Sequence, residues 1–313
     1  MRLDELIRGP SRPTRAQTLH RRRRVAALLA VAALALVLGA LAGADGDGSG
    51  TSVRGHGPRL GWYGQLRVLA GAGPHSLGFE ERARESTAID RALARTPFVR
   101  LAGAQHRLIA LTFDDGPGPD TGRLIDALRR LRVPGTFFVV GYQLPEFAAT
   151  LRREIDLGLP IGDHTLDHAN LRQLRATGQR REIAGMAQTL SGYGTPTPRL
   201  FRPPYGAYDR TTFKLLQRRR MLAVLWSIDS EDYTKPGRAA IVRNVVGNAQ
   251  PGAIVLMHDG GGDRSETIAA LGPIVRALRA RGYRFVTVPR LLLENPPPAQ
   301  QELPAGFNSN GAG

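Results

Sequence analysis

Two adjacent aspartates, Asp114 and Asp115, end the apolar run RLIALTF at 107–113 and are followed at once by Gly116, Pro117, Gly118 and Pro119. Neighbouring carboxylates repel and lose solvation when buried, so a merely structural sequence seldom places them at the end of a buried strand. Taken alone, the pair reads equally well as an acidic turn. The segment HTLDH carries His164 and His168 four residues apart, about one helical turn, so both rings can face one metal. Asp167, inside it, is a helix N-terminal acid or a residue behind the ligands. RPPYG supplies Arg202 and Tyr205, WSIDSEDY supplies Trp226, Asp229, Asp232 and Tyr233, and LMHDG supplies Leu256, His258 and Asp259. Singly, these are a rigid turn, an acidic loop and a hydrogen-bonded strand-end histidine. Jointly, one site explains them. Two histidines and a carboxylate form a three-ligand set that leaves metal positions open for water and substrate. A second carboxylate can act as base and a further histidine as acid.

The elements that must hold these groups alternate. Strand-like runs fall at 107–113, 135–140, 160–163, 199–203, 222–228, 253–258 and 283–288. Helical stretches lie between them, at 120–132, 145–157, 178–191, 208–219, 238–249 and 265–281. Seven strands alternating with helices predict an α/β fold with parallel strands. In a closed barrel of this kind the functional groups stand at the C-terminal strand ends, where the five segments fall. In the first strand Leu108, Ala110 and Thr112 lie on one side and Ile109, Leu111 and Phe113 on the other, as a strand buried on both faces requires.

TFDDG, HTLDH, RPPYG, DSEDY and LMH, in this order and at these spacings, resemble the five motifs of the polysaccharide deacetylase family, also called carbohydrate esterase family 4 or the NodB-homology domain. The resemblance covers roughly residues 104 to 293. It implies a distorted (β/α) barrel of about seven parallel strands and the removal of acetyl groups from N-acetylglucosamine polymers or, in some members, from acetylated xylan. It further implies that Asp115, His164 and His168 bind a divalent metal, usually zinc, with cobalt or nickel in some members. Asp114 would be the base, and Arg202 would pair with it. The Tyr205 backbone N–H would bind the oxyanion. Asp232 would orient His258, the acid, and Leu256 would line the pocket for the acetyl methyl. Trp226 either stacks on a sugar ring or packs at the end of its strand. The sequence departs from the family at Tyr233, where tryptophan is frequent, and at Ser227, where aspartate is frequent. Both bear on substrate fit rather than on the chemistry.

The chain contains no cysteine, which excludes disulfides, thiolate metal sites and a cysteine nucleophile. Its formal charge is +16, of which residues 1–24 carry +6 through eight arginines against Asp4 and Glu5. This basic arm runs into VAALLAVAALALVLGALAGA, residues 25–44, twenty residues without a charge and about the length that spans a bilayer as a helix. Ala40-Leu41-Ala42 offers a signal-peptide cleavage site, but the stretch exceeds the usual apolar core of about 7–15 residues, which favours a single uncleaved anchor. The upstream arginines then place the N-terminus in the cytoplasm and the rest outside. Nucleic acid is thereby an unsuitable partner. A basic exported domain is better matched to anionic envelope polymers or lipid head groups, and the anchored topology favours envelope N-acetyl sugars, peptidoglycan above all. DGDGSGTSVRGHGP at 45–58 reads as a flexible linker. Residues 59–103 form an N-terminal extension of unassigned role, in which 79–94 has a helical pattern with Ile89 and Leu93 on one face. Residues 294–313 read as a disordered tail. The rival readings are an O-acetyl esterase acting on a xylan-type polymer with the same site, and a wall-binding protein without turnover.

Overall fold

The computed structural model describes residues 78–301; the basic arm, the candidate membrane segment, the linker and residues 302–313 lie outside them. Among the described residues no helix is long and apolar enough to cross a membrane. The chain runs through α1 (Phe79–Leu93), β1 (Phe98–Val99), β2 (Leu108–Asp114), α2 (Thr121–Leu131), β3 (Thr136–Val139), α3 (Ala148–Asp156) and β4 (Ile161–Asp163). It continues with α4 (Ala176–Gly192), β5 (Leu200–Phe201), α5 (Arg210–Arg218), β6 (Leu222–Val224), β7 (Ile228–Asp229) and α6 (Arg238–Gly247). β8 (Ala253–His258), α7 (Ser265–Ala280), β9 (Arg284–Phe285) and α8 (Val288–Glu294) complete it. All strand pairs are parallel, in the order β1-β6-β5-β4-β3-β2-β8-β7, with β9 beside the start of β2.

The sheet curls because one piece of chain serves both of its ends. The apolar run 222–228 is not a single strand. Its first half pairs with β5 and β1, and its second half pairs with β8. The change of neighbour falls at 225–227, where Leu225 N–H donates to Val99 O and Ser227 N–H donates to Ile254 O. Hydrophobicity marks a buried segment but carries no information about its pairing partner, so the run alone could not reveal the break.

The two faces of β2 feed two cores. Ile109, Leu111 and Phe113 join Phe137, Val255 and Met257 under the outer helices, packed with Leu124 and Leu128 of α2 and Leu271 and Ile274 of α7. Leu108 and Ala110 face inward with Phe138, Leu222 and Ile254, and α1 and α8 plug that inner core through Ile89, Ala92, Leu291 and Leu292. Up the inner face of β2 the residues change from Leu108 and Ala110 to Thr112 and Asp114, so the barrel is filled at its lower end and polar at its upper end.

The region expected to be strand up to residue 288 turns into α8 instead. Thr287 caps that helix, its side chain accepting from Arg290 N–H, and Pro289 stands in the first turn. Residues 295–301, within the expected tail, make defined contacts. The buried Asn295 side chain both accepts from His106 N–H and donates to His106 O, and the Gln301 side chain pairs with the backbone of Arg100 and Leu101.

Glu85 of α1 is 5% exposed and its Oε1 has no hydrogen-bond partner. Burial first, then the charge of Glu81, push its carboxyl up to about 7, against the pull of Arg290. The folded chain therefore holds a proton that the unfolded chain releases near 4.5. Stability from this group is full below that lower value and falls as the pH rises towards 7. Glu85→Gln is expected to stabilise the chain by about 1–3 kcal/mol at pH 8 but not at pH 4.5, as read by urea unfolding at both values.

Candidate active site

β2 ends at Asp114, and Asp115 leaves the strand in a left-handed conformation at φ 69. Few residues adopt that backbone without cost; aspartate is among those that do. It rotates the second carboxylate away from the first, so the two side chains enter one pocket from different directions. The turn is clamped from β8: Asp259 N–H and Gly260 N–H both donate to Asp114 O, at 3.0 and 3.3 Å. Only glycine fits at 260, because a Cβ there would lie 1.9 Å from Asp115 O.

Asp114 is 3% exposed and is held by Arg202, which follows β5 and is completely buried. Nη1 donates to Asp114 Oδ1 at 2.7 Å and to Thr112 Oγ1 at 2.8 Å, and Nε donates to Val224 O at 2.9 Å. The guanidinium lies 4.2 Å from the Phe138 ring and 5.7 Å from that of Trp226. Trp226 is half-buried at the break between β6 and β7. It therefore packs beside the arginine that positions Asp114.

His164 and His168 are not on a helix. The loop after β4 instead uses left-handed residues at Thr165 (φ 69) and His168 (φ 53), with Asp163 Oδ1 accepting from Thr165 N–H. This local side-chain turn outcompetes the helix that the four-residue spacing suggests. It still brings the rings to 5.0 Å, and the expected helix N-terminal role of Asp167 lapses. Asp167 pairs with Arg181 on the surface instead.

Asp115 Oδ1 lies 3.0 Å from His168 Nε2 and 3.4 Å from His164 Nε2. His164 Nδ1 is 2.7 Å from Arg202 O, a carbonyl that only accepts, so Nδ1 carries the hydrogen and Nε2 keeps its lone pair in the neutral ring. His168 Nδ1 meets Tyr205 Oη at 3.2 Å. Asp115 Oδ1 is buried without a hydrogen-bond partner. Two imidazole nitrogens and a carboxylate oxygen, all within 4.8 Å of one another, converge on a point that a divalent cation fits and neutral packing does not explain. Burial pushes the Asp115 carboxyl up, but the proximity of the two histidines outweighs it and holds the carboxyl well below its ordinary range.

His258 stands directly opposite Asp114 in the β2–β8 ladder, and Leu256 opposite Thr112. Period-two alternation puts Leu256 and His258 on the same face, with Leu256 4% exposed below the histidine. Asp232 holds His258 twice: Oδ1 lies 2.7 Å from Nδ1, and Oδ2 accepts from the His258 backbone N–H at 2.9 Å. Thr267 Oγ1 donates to Asp232 Oδ2 at 2.8 Å. Burial alone would lower the imidazole pKa, but the Asp232 hydrogen bond and charge raise it overall. Tyr205, on the Pro204–Gly206 turn, has φ 59 and is 70% exposed at the mouth. Thus Asp114, Asp115, His164, His168, Arg202, Tyr205, Asp232, Leu256 and His258 gather at one end of the barrel, with Trp226 behind Arg202.

The family resemblance assigns no role to Asp259 of LMHDG. It is wholly buried, Thr121 Oγ1 donates to its Oδ2 at 2.5 Å, and Gly116 packs against it so closely that a Cβ would lie 2.0 Å away. Burial, together with the charges of Asp115 and Asp114, pushes its carboxyl up to about 7. It forms the floor under the Asp114–Pro117 turn.

A polysaccharide deacetylase family model matches residues 102–224. A peptidoglycan-N-acetylglucosamine deacetylase of Bacillus cereus is 39% identical over 189 residues, covering 59% of this chain and 88% of the relative. A chitooligosaccharide deacetylase of a Bradyrhizobium species is 34% identical over 198 residues, covering 59% of this chain and 90% of that one. The crystal structure of the Bc1960 peptidoglycan N-acetylglucosamine deacetylase superposes with a TM-score of 0.61 at 30% identity, over 65% of this chain and 96% of that one. Fold, relatives and motif order agree, and the chain belongs to the polysaccharide deacetylase family.

Proposed function

We propose that the protein is a metal-dependent N-deacetylase of an extracytoplasmic polysaccharide containing N-acetylglucosamine, peptidoglycan in the first place. The observation that carries this reading is the convergence of Asp115, His164 and His168 beside a base-and-acid pair, Asp114 and His258, on adjacent strand ends. The peptidoglycan and chitooligosaccharide deacetylases among its relatives support the substrate class. The three ligands suit zinc, with cobalt or nickel as alternatives. A bound divalent metal would acidify water and polarise the acetyl carbonyl.

The remaining steps belong to the protein. Asp114, oriented by Arg202, takes the proton as water attacks the carbonyl carbon. The Tyr205 backbone N–H faces the oxygen on which charge builds; a donor of this kind contributes about 3 kcal/mol. The sugar nitrogen cannot leave as an anion. His258 protonates it, with Asp232 engaging Nδ1 so that Nε2 is the atom that hands over the proton. Leu256 offers an apolar wall to the acetyl methyl.

Because Asp232 raises the His258 pKa, the acid stays protonated into a higher pH range than a free imidazole. Asp232→Asn is expected to move the alkaline limb of kcat/KM to lower pH and to reduce the rate by less than about 10²-fold, as measured in a pH–rate profile.

The arginine-rich arm followed by residues 25–44 supports a single-pass membrane anchor with the enzyme domain outside the cell. The test of the reading is acetate release from purified peptidoglycan, N-acetylglucosamine oligomers and acetylated xylan, beside Asp114→Asn. Release from the amide substrates, lost in the variant, supports it. Release from xylan alone replaces it with the O-acetyl esterase.

A further inference from the structure

The lower end of the barrel, opposite the catalytic mouth, gathers exposed arginines from elements far apart in sequence. Arg129 and Arg130 stand in the last turn of α2, with Arg132 just beyond it. Arg279 and Arg281 end α7, with Arg276 a turn earlier, and all three are exposed. A direct contact joins the two groups: Arg279 Nη2 donates to Arg132 O at 3.1 Å. The row continues through Arg107, whose Nη1 donates to Arg281 O at 2.9 Å, to Arg284, whose N–H donates to Arg107 O at 2.9 Å.

The fold does not neutralise these charges. The acids on the neighbouring elements are engaged elsewhere, Asp126 with Arg153, and Glu294 with Arg284 and Arg290. Near the mouth, by contrast, arginines are interleaved with acids: Arg123 pairs with Asp120, and Arg210 and Arg264 directly follow Asp209 and Asp263. A helix C-terminus favours a basic residue in its last turn, but two helix ends that bring several arginines together repel one another unless an anion stands outside. Arg132 also holds a left-handed backbone, φ 53, at a helix end where glycine is the usual residue. The corresponding turn after α7 is made by Gly282, φ 79. An arginine at 132 therefore keeps its charge at a cost in backbone strain that glycine would avoid.

We propose that this arginine face seats the barrel on an anionic lipid bilayer, with the catalytic mouth turned away from it. Guanidinium groups match phosphate geometry and stay charged at every physiological pH. Each basic side chain at an anionic lipid surface strengthens association about fivefold. The choice of lipid over another polyanion rests on the membrane anchor proposed for residues 25–44. The chain enters the described domain through α1, whose Ile89 and Ala92 plug this same lower end. Residues 45–77 separate α1 from the apolar segment by at most about 120 Å of fully extended chain, so the bilayer is within reach of the face.

The test uses the full chain, which has no cysteine of its own. A fluorescent label is attached through Ala280→Cys, beside the arginines, or through Glu146→Cys, on the mouth side; both positions are exposed. Each labelled chain is mixed with vesicles carrying an acceptor dye, made of phosphatidylcholine alone or mixed with phosphatidylglycerol. On the mixed vesicles, energy transfer from position 280 is expected to exceed that from position 146. The excess should vanish on phosphatidylcholine and at about 1 M salt. Arg130→Gln/Arg132→Gly/Arg276→Gln should lose the excess while its unfolding temperature holds, since glycine relieves the backbone at 132. Equal transfer from the two positions, or an excess that survives the triple variant, overturns the proposal. Flotation with phosphatidylcholine vesicles reads the anchor separately. A chain that floats only with the mixed vesicles, position 280 nearer the acceptor, keeps the face and removes the anchor. A chain that floats with neither overturns both. Shielding of position 280 by soluble polyphosphate, with no approach to the mixed vesicles, assigns the face to an anionic polymer and overturns the lipid seat.

Discussion

Asp114→Asn is expected to lower kcat for acetate release by about 10²–10⁴-fold while the chain stays folded and keeps its metal. Asparagine preserves the shape and still offers Oδ1 to Arg202 Nη1, now 2.7 Å from Asp114 Oδ1. It cannot accept a proton from water. The ligand set, Asp115 with His164 and His168, is untouched. The substitution does leave a fully buried guanidinium without its counter-charge, and breaking a buried pair costs up to about 3–5 kcal/mol. Activity must therefore be expressed per folded chain, with circular dichroism and metal content measured on the same sample. A variant that keeps its rate within tenfold would remove Asp114 from the role of base.

His168→Ala is expected to weaken metal binding by more than about 100-fold, since loss of a mere supporting partner already costs about 10–100-fold. Acetate release should vanish at metal concentrations that saturate the unaltered chain and return in part with excess metal. His168 is the cleaner histidine to remove. Its side chain is 22% exposed and lies on a loop, whereas His164 is 3% exposed and its ring is bonded to Arg202 O. Stability should change by no more than about 1 kcal/mol for His168→Ala. Metal titration by calorimetry checks the affinity, and thermal unfolding checks the fold.

The site was legible in the sequence because its chemistry is local. Each motif sits within a few residues of a strand end, and the period-two reading of 107–113 correctly divided β2 between the outer and inner cores. The ladder that sets His258 beside Asp114 then follows from the strands being neighbours. Spacing was less informative about backbone path. The interval between His164 and His168 matches a helical turn, yet the Asp163 side chain captures Thr165 N–H and the loop stays irregular. The run 222–228 reads as one strand because burial on both faces looks the same whichever neighbours supply it. α8 did carry a signal, Thr287 as cap with Pro289 in the first turn, but the apolar run through residue 288 masked it.

The central claim is that one metal, held by Asp115, His164 and His168, works with Asp114 and His258 on an acetamide. It is tested most directly by stripping the full chain with a chelator and following acetate release from N-acetylglucosamine hexamer as zinc or cobalt is added back. The account predicts no release from the stripped chain and a rise that saturates at one metal per chain. Undiminished release by the metal-free chain, or a folded, metal-loaded chain that is silent on the hexamer and on peptidoglycan, would contradict it.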